Sequence, residues 1–226
     1  MAYCEGGYLL RRERLTVSIN TNAWNRIRYN LYAPFYDIAG RLFNADRKRS
    51  IQMLQLRPDE KVLLLGAGTG IDLEFLPREA DVTAVDISPA MIKQVQKRAE
   101  RIDHDVNALV MDGHALDFPD ETFDVVILHL ILAVIPDPHA CISEAVRVLK
   151  PDGRMSIFDK FLPEGTDLSL GRKMGNVVTS FFFSEINRQL KPIVASTSLR
   201  SVQEEAANFE NLGYQITILH KSERDV

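Results

Sequence analysis

From residue 61 the chain alternates short apolar runs with stretches of helical period. The apolar runs cover 62–65, 82–85, 106–111, 123–128 and 154–158. The run at 123–128 is apolar almost throughout, as a strand covered on both faces should be. Helical segments fall between them. A short one is expected at 71–76, ended by Pro77; a second opens at Ser88-Pro89 and reaches about residue 101; a third opens at Asp137-Pro138 and reaches 149. Serine or aspartate followed by proline is a helix start, because the side chain caps and the proline occupies a position whose N–H has no partner. Pro151-Asp152-Gly153 reads as the turn into the fifth run. Strand–helix repetition of this kind predicts an α/β fold with a doubly wound, mostly parallel sheet and helices on both faces.

The ends of the chain are less regular. Residues 1–20 show no firm period. Trp24, Ile27 and Leu31 fall at helical spacing until Pro34; a second helical piece spans 35–43, and a third runs from a cap at Asp46 through Ile51 and Leu54 to Leu56. These pieces come before any strand, so they are expected to lie over the sheet's edge or mouth as a helical cap. At the other end two readings stay open. Residues 202–211 make a helix with 214–220 as the last strand; or 184–196 make the helix, with strands at 199–203 and 214–220. The second is preferred because it gives seven strands and an antiparallel final hairpin, although Pro192 sits inside its helix. The expected division is a cap at 1–57 belonging to the same domain as 58–226, with a lid-like insertion at 161–183, since long insertions in compact domains more often serve binding than spacing.

Composition narrows the class. The chain has 226 residues, 46% hydrophobic and 26% charged, with a formal net charge of −4, which describes a globular protein and disfavours a general nucleic-acid binder. The charge is uneven: residues 1–57 hold 10 Lys/Arg against 4 Asp/Glu. Two cysteines, Cys4 and Cys141, make neither a disulfide framework nor a metal cluster, so no metal is expected. No apolar run approaches the ~18 residues of a membrane span. The expected location is cytoplasmic. A peripheral contact at the inner membrane surface is the variant suggested by Trp24, Arg26, Arg28 and Tyr32, which would place charges outward and an apolar face among headgroups. The plainer alternative packs Trp24 and Ile27 on the domain and leaves the arginines solvated.

The candidate chemistry centres on Gly66-Ala67-Gly68-Thr69-Gly70, directly after the first apolar run. Strand, glycine turn and helix bring bare backbone up to a nucleoside-bearing ligand. Dinucleotide folds use G-x-G-x-x-G; here the third glycine comes one residue early. Asp86 ends the second strand, where an acid can accept ribose hydroxyls. Asp112-Gly113 follows the third strand. His129 ends the fourth, where the crevice of such a sheet opens. Each has a plainer alternative: a tight turn, a cap, a turn aspartate and a satisfied structural histidine.

Five features in order resemble the class I S-adenosylmethionine (SAM) dependent methyltransferases: 62–70, Asp86, Met111-Asp112-Gly113, Phe118-Pro119-Asp120 with Phe123-Asp124, and 149–153. The layout of 29–40, 66–70 and 135–138 looks most like the soluble bacterial phosphatidylethanolamine N-methyltransferases, with the ubiquinone/menaquinone C-methyltransferases next. The resemblance implies a Rossmann-like seven-stranded sheet, SAM as cofactor and S-adenosylhomocysteine as product. It also implies methyl transfer to a small-molecule or lipid acceptor. Its implied cofactor contacts are Gly66, Ala67, Gly68, Thr69, Gly70, Asp86, Ile87, Met91, Asp112, Gly113, His114 and His129. Asp112 would take the adenine amino group, with Ile87, Met91 and His114 as walls of the ring's slot. Catalytic candidates are Tyr32, Tyr36 and His129, with Tyr29 clustered beside the tyrosines.

One position departs from the pattern. Relatives usually carry an acid two residues before the first glycine to help hold the methionine amino group, and here Leu64 stands there. Asp72 is the nearest substitute. The rival readings are a nicotinamide oxidoreductase, disfavoured by the early glycine, and a SAM-binding protein without catalysis, for which Leu64 is the best argument. The acceptor, the accepting atom and the oligomeric state stay open.

Overall fold

The structure, a computed structural model, describes residues 21–32, 40–162, 188–208 and 210–222. A seven-stranded sheet lies at its centre: β1 (Lys61–Leu65), β2 (Asp81–Asp86), β3 (Val106–Val110), β4 (Phe123–His129), β5 (Leu149–Lys160), β6 (Leu199–Ala206) and β7 (Tyr214–Lys221). The spatial order is β3-β2-β1-β4-β5-β7-β6. Pairings from β3 through β5 are parallel, and β7 runs antiparallel to both β5 and β6. The doubly wound sheet with its antiparallel last strand is therefore as the sequence predicts. Five α-helices are described: α1 (Asn22–Tyr32), α2 (Asn44–Met53), α3 (Pro89–Ile102), α4 (Pro138–Val148) and α5 (Leu190–Val194).

Alternation along β1 shows how the layers form. Val62 and Leu64 enter one core with residues of α2 and α3, such as Ile51, Ile92 and Val95. Leu63 and Leu65 enter the other, with Cys141, Ile142 and Ala145 of α4. These four residues are at most 1% exposed, so past the exposed Lys61 the strand has no solvent face. Hydrophobic side chains on both faces are what forced the continuous apolar run.

The two capped helices start where the sequence places them. Ser88 accepts from the Met91 N–H at 3.1 Å, and Asp137 accepts from the His139 and Ala140 N–H groups at 2.9 and 3.1 Å. Ser88 Oγ also donates to Asn30 Oδ1 at 2.6 Å and so ties α3 to α1. Replacing Ser88 by alanine removes both bonds and is expected to cost about 1–2 kcal/mol. For a chain of this size that lowers Tm by roughly 2–8 °C, which calorimetry would resolve.

Several expectations need correction. The segment at 71–76 is a 3-10 turn, Ile71–Phe75, not an α-helix. Asp46 does not cap α2: the cap position is Phe43, and Asp46 lies in the first turn, accepting from the Asn208 N–H at 3.1 Å. The Pro151–Gly153 turn falls inside the span of β5, as a bend with Asp152 at φ 59° where the pairing with β4 shifts register. The sixth strand, placed at 199–203 in the preferred reading, is there and runs on to Ala206, pairing with β7 outweighing the helical composition of 202–206. The described part of the expected 184–196 helix is only α5. Pro192 is its third residue, where no helical N–H is required. Of the helix expected at 35–43 only the portion from Gly40 is described, ending in the 3-10 turn Arg41–Phe43. Most of the insertion at 161–183 lies outside the described residues.

Candidate functional site

The strand order reverses between β1 and β4, and in an open α/β sheet the crevice beyond the carboxyl ends at that switch is where ligands bind. A cleft lies there, open to solvent and enclosing about 790 Å³ of space with its mouth included. It crosses the ends of β3, β2, β1 and β4, about 14 Å at ordinary strand spacing. Its two ends differ in chemistry. Asp86 and Asp112 stand at the β2–β3 end; Thr69, Arg47 and His129 stand at the β1–β4 end.

The glycine turn forms the floor. The Gly66 and Ala67 N–H groups both donate to the Val85 carbonyl at 2.9 Å, folding the chain sharply at the top of β1. Gly66 adopts φ 74°, and a Cβ there would come within 2.3 Å of Ile131 Cδ1. The residue is glycine for both reasons, backbone and space. Gly70, at φ 77°, abuts the backbone of Val95 instead, which lets α3 approach the turn; it does not line the cleft.

Asp86 accepts from the Gly68 N–H and the Ser88 N–H, each at 2.9 Å. Burial nevertheless pushes its carboxyl up to about 6, the two backbone bonds only partly opposing it. Ile87 and Met91 line the cleft beside it. Asp112 accepts from Asn22 Nδ2 at 2.5 Å, while its other oxygen takes the His114 N–H at 3.0 Å and the His114 ring at 2.6 Å. His114 Nε2 accepts from the Asp137 N–H at 3.2 Å, which puts the ring proton on Nδ1, facing Asp112. The histidine thus holds Asp112 from behind. Gly113 lines the cleft but His114 does not, so a wall for an adenine ring there is not what His114 provides.

His129 is buried and held at both nitrogens. Nδ1 meets Asp72 Oδ1 at 2.8 Å and Nε2 meets Ser50 Oγ at 3.0 Å, with Ser50 in turn bonded to Ser156. Asp72 accepts from Arg47 Nη1 on its second oxygen, at 2.5 Å. Burial alone would raise the Asp72 carboxyl, but the Arg47 charge and the His129 contact outweigh it and hold it well below the usual carboxylate range. Both Asp72 oxygens are committed, and the residue does not line the cleft. It therefore does not stand in for the acid missing at Leu64. Leu64 itself points into the core rather than the cleft.

Among the other catalytic candidates, Tyr36 and the Tyr32 side chain lie outside the described residues. Tyr29 does line the cleft, with Asn25 and Asn22 one and two turns before it on α1. Asn25 and Arg28 are each 4% exposed, whereas Ile27 is 63% exposed. The helix thus turns its polar side to the site and an apolar residue outward, against the plainer expectation that Ile27 packs on the domain and Arg28 is solvated.

The loop after β4 closes the far wall. Leu130 takes φ 60°, an uncommon conformation for a branched residue, at the point where the chain leaves the strand. Asp159, itself pushed up to about 6 by burial, accepts from the Ala133 N–H at 3.1 Å. Arg188 donates to the Leu132 carbonyl and, at 3.3 Å, to that of Pro136. These bonds hold Ile131, Val134 and Ile135 against the cleft.

Sequence reasoning missed Arg47, Asn22 and Asn25. Arg47 reads as part of a solvated basic run, yet it shares a helical face with Ile51 and Leu54, both buried. That spacing was the available signal. Among the described residues, no group of three or more His, Cys, Asp or Glu is placed to hold a metal ion, and no helix is long and apolar enough to cross a membrane.

Residues 63–157 match the family described as "Methyltransferase domain". The chain is 33% identical to a phosphatidylethanolamine N-methyltransferase of Cereibacter sphaeroides over 129 residues, covering 56% of this chain and 63% of the relative. It is 39% identical to a demethylmenaquinone methyltransferase of Corynebacterium glutamicum over 118 residues, covering 52% and 49%. The chain thus spans between about half and just under two thirds of those relatives. Among solved structures it resembles the [4+2]-cyclase SpnF (TM-score 0.73, 16% identity, 88% of this chain and 95% of that one). It also resembles a geranyl diphosphate C-methyltransferase of Streptomyces coelicolor in complex with S-adenosylhomocysteine (TM-score 0.66, 17% identity, 80% of each chain). At such identities the structural likeness speaks for the fold alone.

Proposed function

We propose, from the match of residues 63–157 to the family described as "Methyltransferase domain", that the chain binds SAM in the cleft and transfers its methyl group to a small-molecule or lipid acceptor. The observation that carries this reading is the polarity of the cleft. Two carboxylates stand at one end, on neighbouring strands, where the hydroxyls and amino group of a nucleoside can donate to them; a buried cation stands at the other, where an amino-acid tail would reach.

In this reading Gly66, Ala67, Gly68 and Thr69 present backbone to the methionine and ribose portions, and Asp86 accepts the ribose hydroxyls. Ile87 and Met91 flank the base. Asp112 takes the adenine amino group on an oxygen it now shares with Asn22. Bound SAM would supply a methyl already activated on a sulfonium. The chain's own work is then alignment and exclusion of water. The wall of Ile131, Val134 and Ile135 excludes water. His129, fixed at both nitrogens, is a rigid neighbour rather than a mobile base. Tyr29 offers an aromatic face to a cationic centre.

The acceptor we favour is a lipid with an amine headgroup, such as phosphatidylethanolamine. It is supported by the relative of that name and by α1, which roofs the cleft while presenting Ile27 and Arg26 outward, a pairing suited to an anionic membrane surface. The cap at 1–57 then carries the acceptor side and, through Asn22 and Arg47, reaches the cofactor that 58–226 holds within the same domain. A quinone-type carbon acceptor is the second reading, supported by the demethylmenaquinone relatives. Labelled SAM with vesicles containing phosphatidylethanolamine, or with a demethylquinone in detergent, separates them. Label in the lipid amine, fading at high salt as the vesicles detach, supports the first; label in the quinone supports the second. Binding of SAM without label in either acceptor or in a total extract would overturn the enzymatic reading.

A further inference from the structure

Three asparagines fasten α1 over the cleft. Asn22 Nδ2 donates to Asp112 Oδ2 at 2.5 Å, and Asn25 Nδ2 donates to the Val134 carbonyl at 3.1 Å. Asn30 Oδ1 accepts from Ser88 Oγ at 2.6 Å and from the Ala90 N–H at 3.3 Å. No residue of α1 belongs to either apolar core, so the helix depends on these polar contacts for its place. The two ends differ in one respect. Asn30, Ser88 and Ala90 stand outside the cleft, whereas Asn22 and Asp112 both line it. His114 donates twice to Asp112 Oδ1, from its N–H and its ring, so Oδ2 is the oxygen left for a ligand. Asn22 already stands on it.

We propose that Asn22 is a latch on the base site: it holds Asp112 while the cleft is empty and yields the oxygen to a base that carries an exocyclic amine, so that the grip on α1 depends on which nucleoside is bound. This rests on the reading of the cleft as a SAM site. Two donors on one oxygen divide its charge and repel each other through their hydrogens, so latch and amine oppose one another. The coupling is reciprocal: what the latch costs the ligand, the ligand takes from the latch. A ligand that needs Oδ2 has its apparent affinity lowered by the fraction of molecules in which that oxygen is open. A purine without the amine makes no claim on Oδ2 and binds beneath a latch that stays shut. The release is local, because Asn30 keeps the other end of the helix on Ser88 and Ala90. Asn22 acts on the ligand through Asp112 and is a positioning residue, one that sets how sharply an amine-bearing base is told from others.

Trp24 is the one tryptophan of the chain and follows Asn22 by two residues, so its fluorescence reports on the latched turn. The test reads that signal and the calorimetric affinity for two probes. One is S-adenosylhomocysteine; the other is its deamino analogue, in which hydrogen replaces the 6-amino group of the base. On wild-type protein, saturating S-adenosylhomocysteine is expected to shift Trp24 emission to longer wavelength and to raise its quenching by acrylamide about twofold. Saturating analogue should leave both unchanged, a comparison that needs no variant. Asn22→Ala should show the shifted emission without ligand and bind S-adenosylhomocysteine about fivefold more tightly than wild type. Its affinity for the analogue should stay within twofold, which also shows that the variant is folded. Weaker binding of S-adenosylhomocysteine by Asn22→Ala, with the analogue unaffected, overturns the latch and makes Asn22 a direct partner of the base. Equal affinities in the two proteins, or the same Trp24 response to both probes, overturn it too. Wild-type protein that binds neither probe overturns the cofactor reading instead.

Discussion

Asp86→Asn is expected to weaken S-adenosylhomocysteine binding about 100-fold and to abolish its dependence on pH. The carboxylate stands at the end of β2 with one backbone N–H on each oxygen, at 2.9 Å, and its remaining lone pairs face the cleft. Hydrogen bonds to a charged acceptor contribute about 1.5–3 kcal/mol each, so losing the charge under two hydroxyls costs about 3 kcal/mol or more. The pH argument follows from burial, which pushes this carboxyl up to about 6. The ionised form accepts from both ribose hydroxyls as a charged acceptor, whereas the protonated form loses the charge and turns one oxygen into a donor. Wild-type affinity should therefore hold above pH 6 and fall, approaching tenfold per unit, below it. The ligand-free chain has the opposite sign at this residue. Its folded state takes up a proton that the unfolded state, with a carboxyl near 3.8, does not, so Asp86 adds stability as pH falls from about 6 toward 4. Binding isotherms from pH 5 to 8 on both proteins check this. Wild-type affinity that is flat across that range would remove Asp86 from the ribose contact.

Leu64→Asp, which restores the acid common among relatives, is expected to unfold the protein rather than improve it. Leu64 is 1% exposed and lies between Ala84 of β2 and Ile127 of β4 in the register of the sheet. Its side chain belongs to the core shared with α2 and α3. A carboxylate there forfeits the apolar contacts and meets no partner, a loss of about 4–5 kcal/mol, at the upper end of single substitutions. Against a total stability of roughly 5–15 kcal/mol, that leaves little. Denaturant midpoints measure it, and saturating S-adenosylhomocysteine should not restore the wild-type value. A folded variant with tighter binding would mean that position 64 reaches the ligand.

Most of the sheet was legible because it is written in short-range code. Ser88-Pro89 and Asp137-Pro138 announced their helices, and the apolar runs matched β1, β2 and β4 to within a residue. The failures share a cause. The strand preferred at 199–203 runs on through residues of helical composition to Ala206 because β7 pairs along its whole length, a contact the local sequence does not state. The site divides the same way. Gly66, Asp86 and Asp112 sit at strand ends, where topology alone brings them together. Arg47 and Asn25 reach the cleft from helices, and their contribution depends on which way each helix is rotated. The helical spacing left two faces of α1 open, Trp24 and Ile27 against the domain or toward a membrane surface, and the structure puts Asn25 and Arg28 inside and Ile27 outward. Asp72 looked available until Arg47 and His129 were seen to occupy both its oxygens.

The inward polarity of α1 has an evolutionary consequence. A helix docked by asparagines and an arginine over a cleft contributes little to the apolar core, so substitutions on it are judged by what the protein binds and scarcely by whether it folds. Residues 63–157, which the family pattern covers, are the part in which folding and the shape of the cleft constrain the same side chains. The roof lies before that segment. Selection for a new acceptor can rewrite it one residue at a time while the strands beneath stay intact, and lineages that share the cofactor chemistry should differ first along α1.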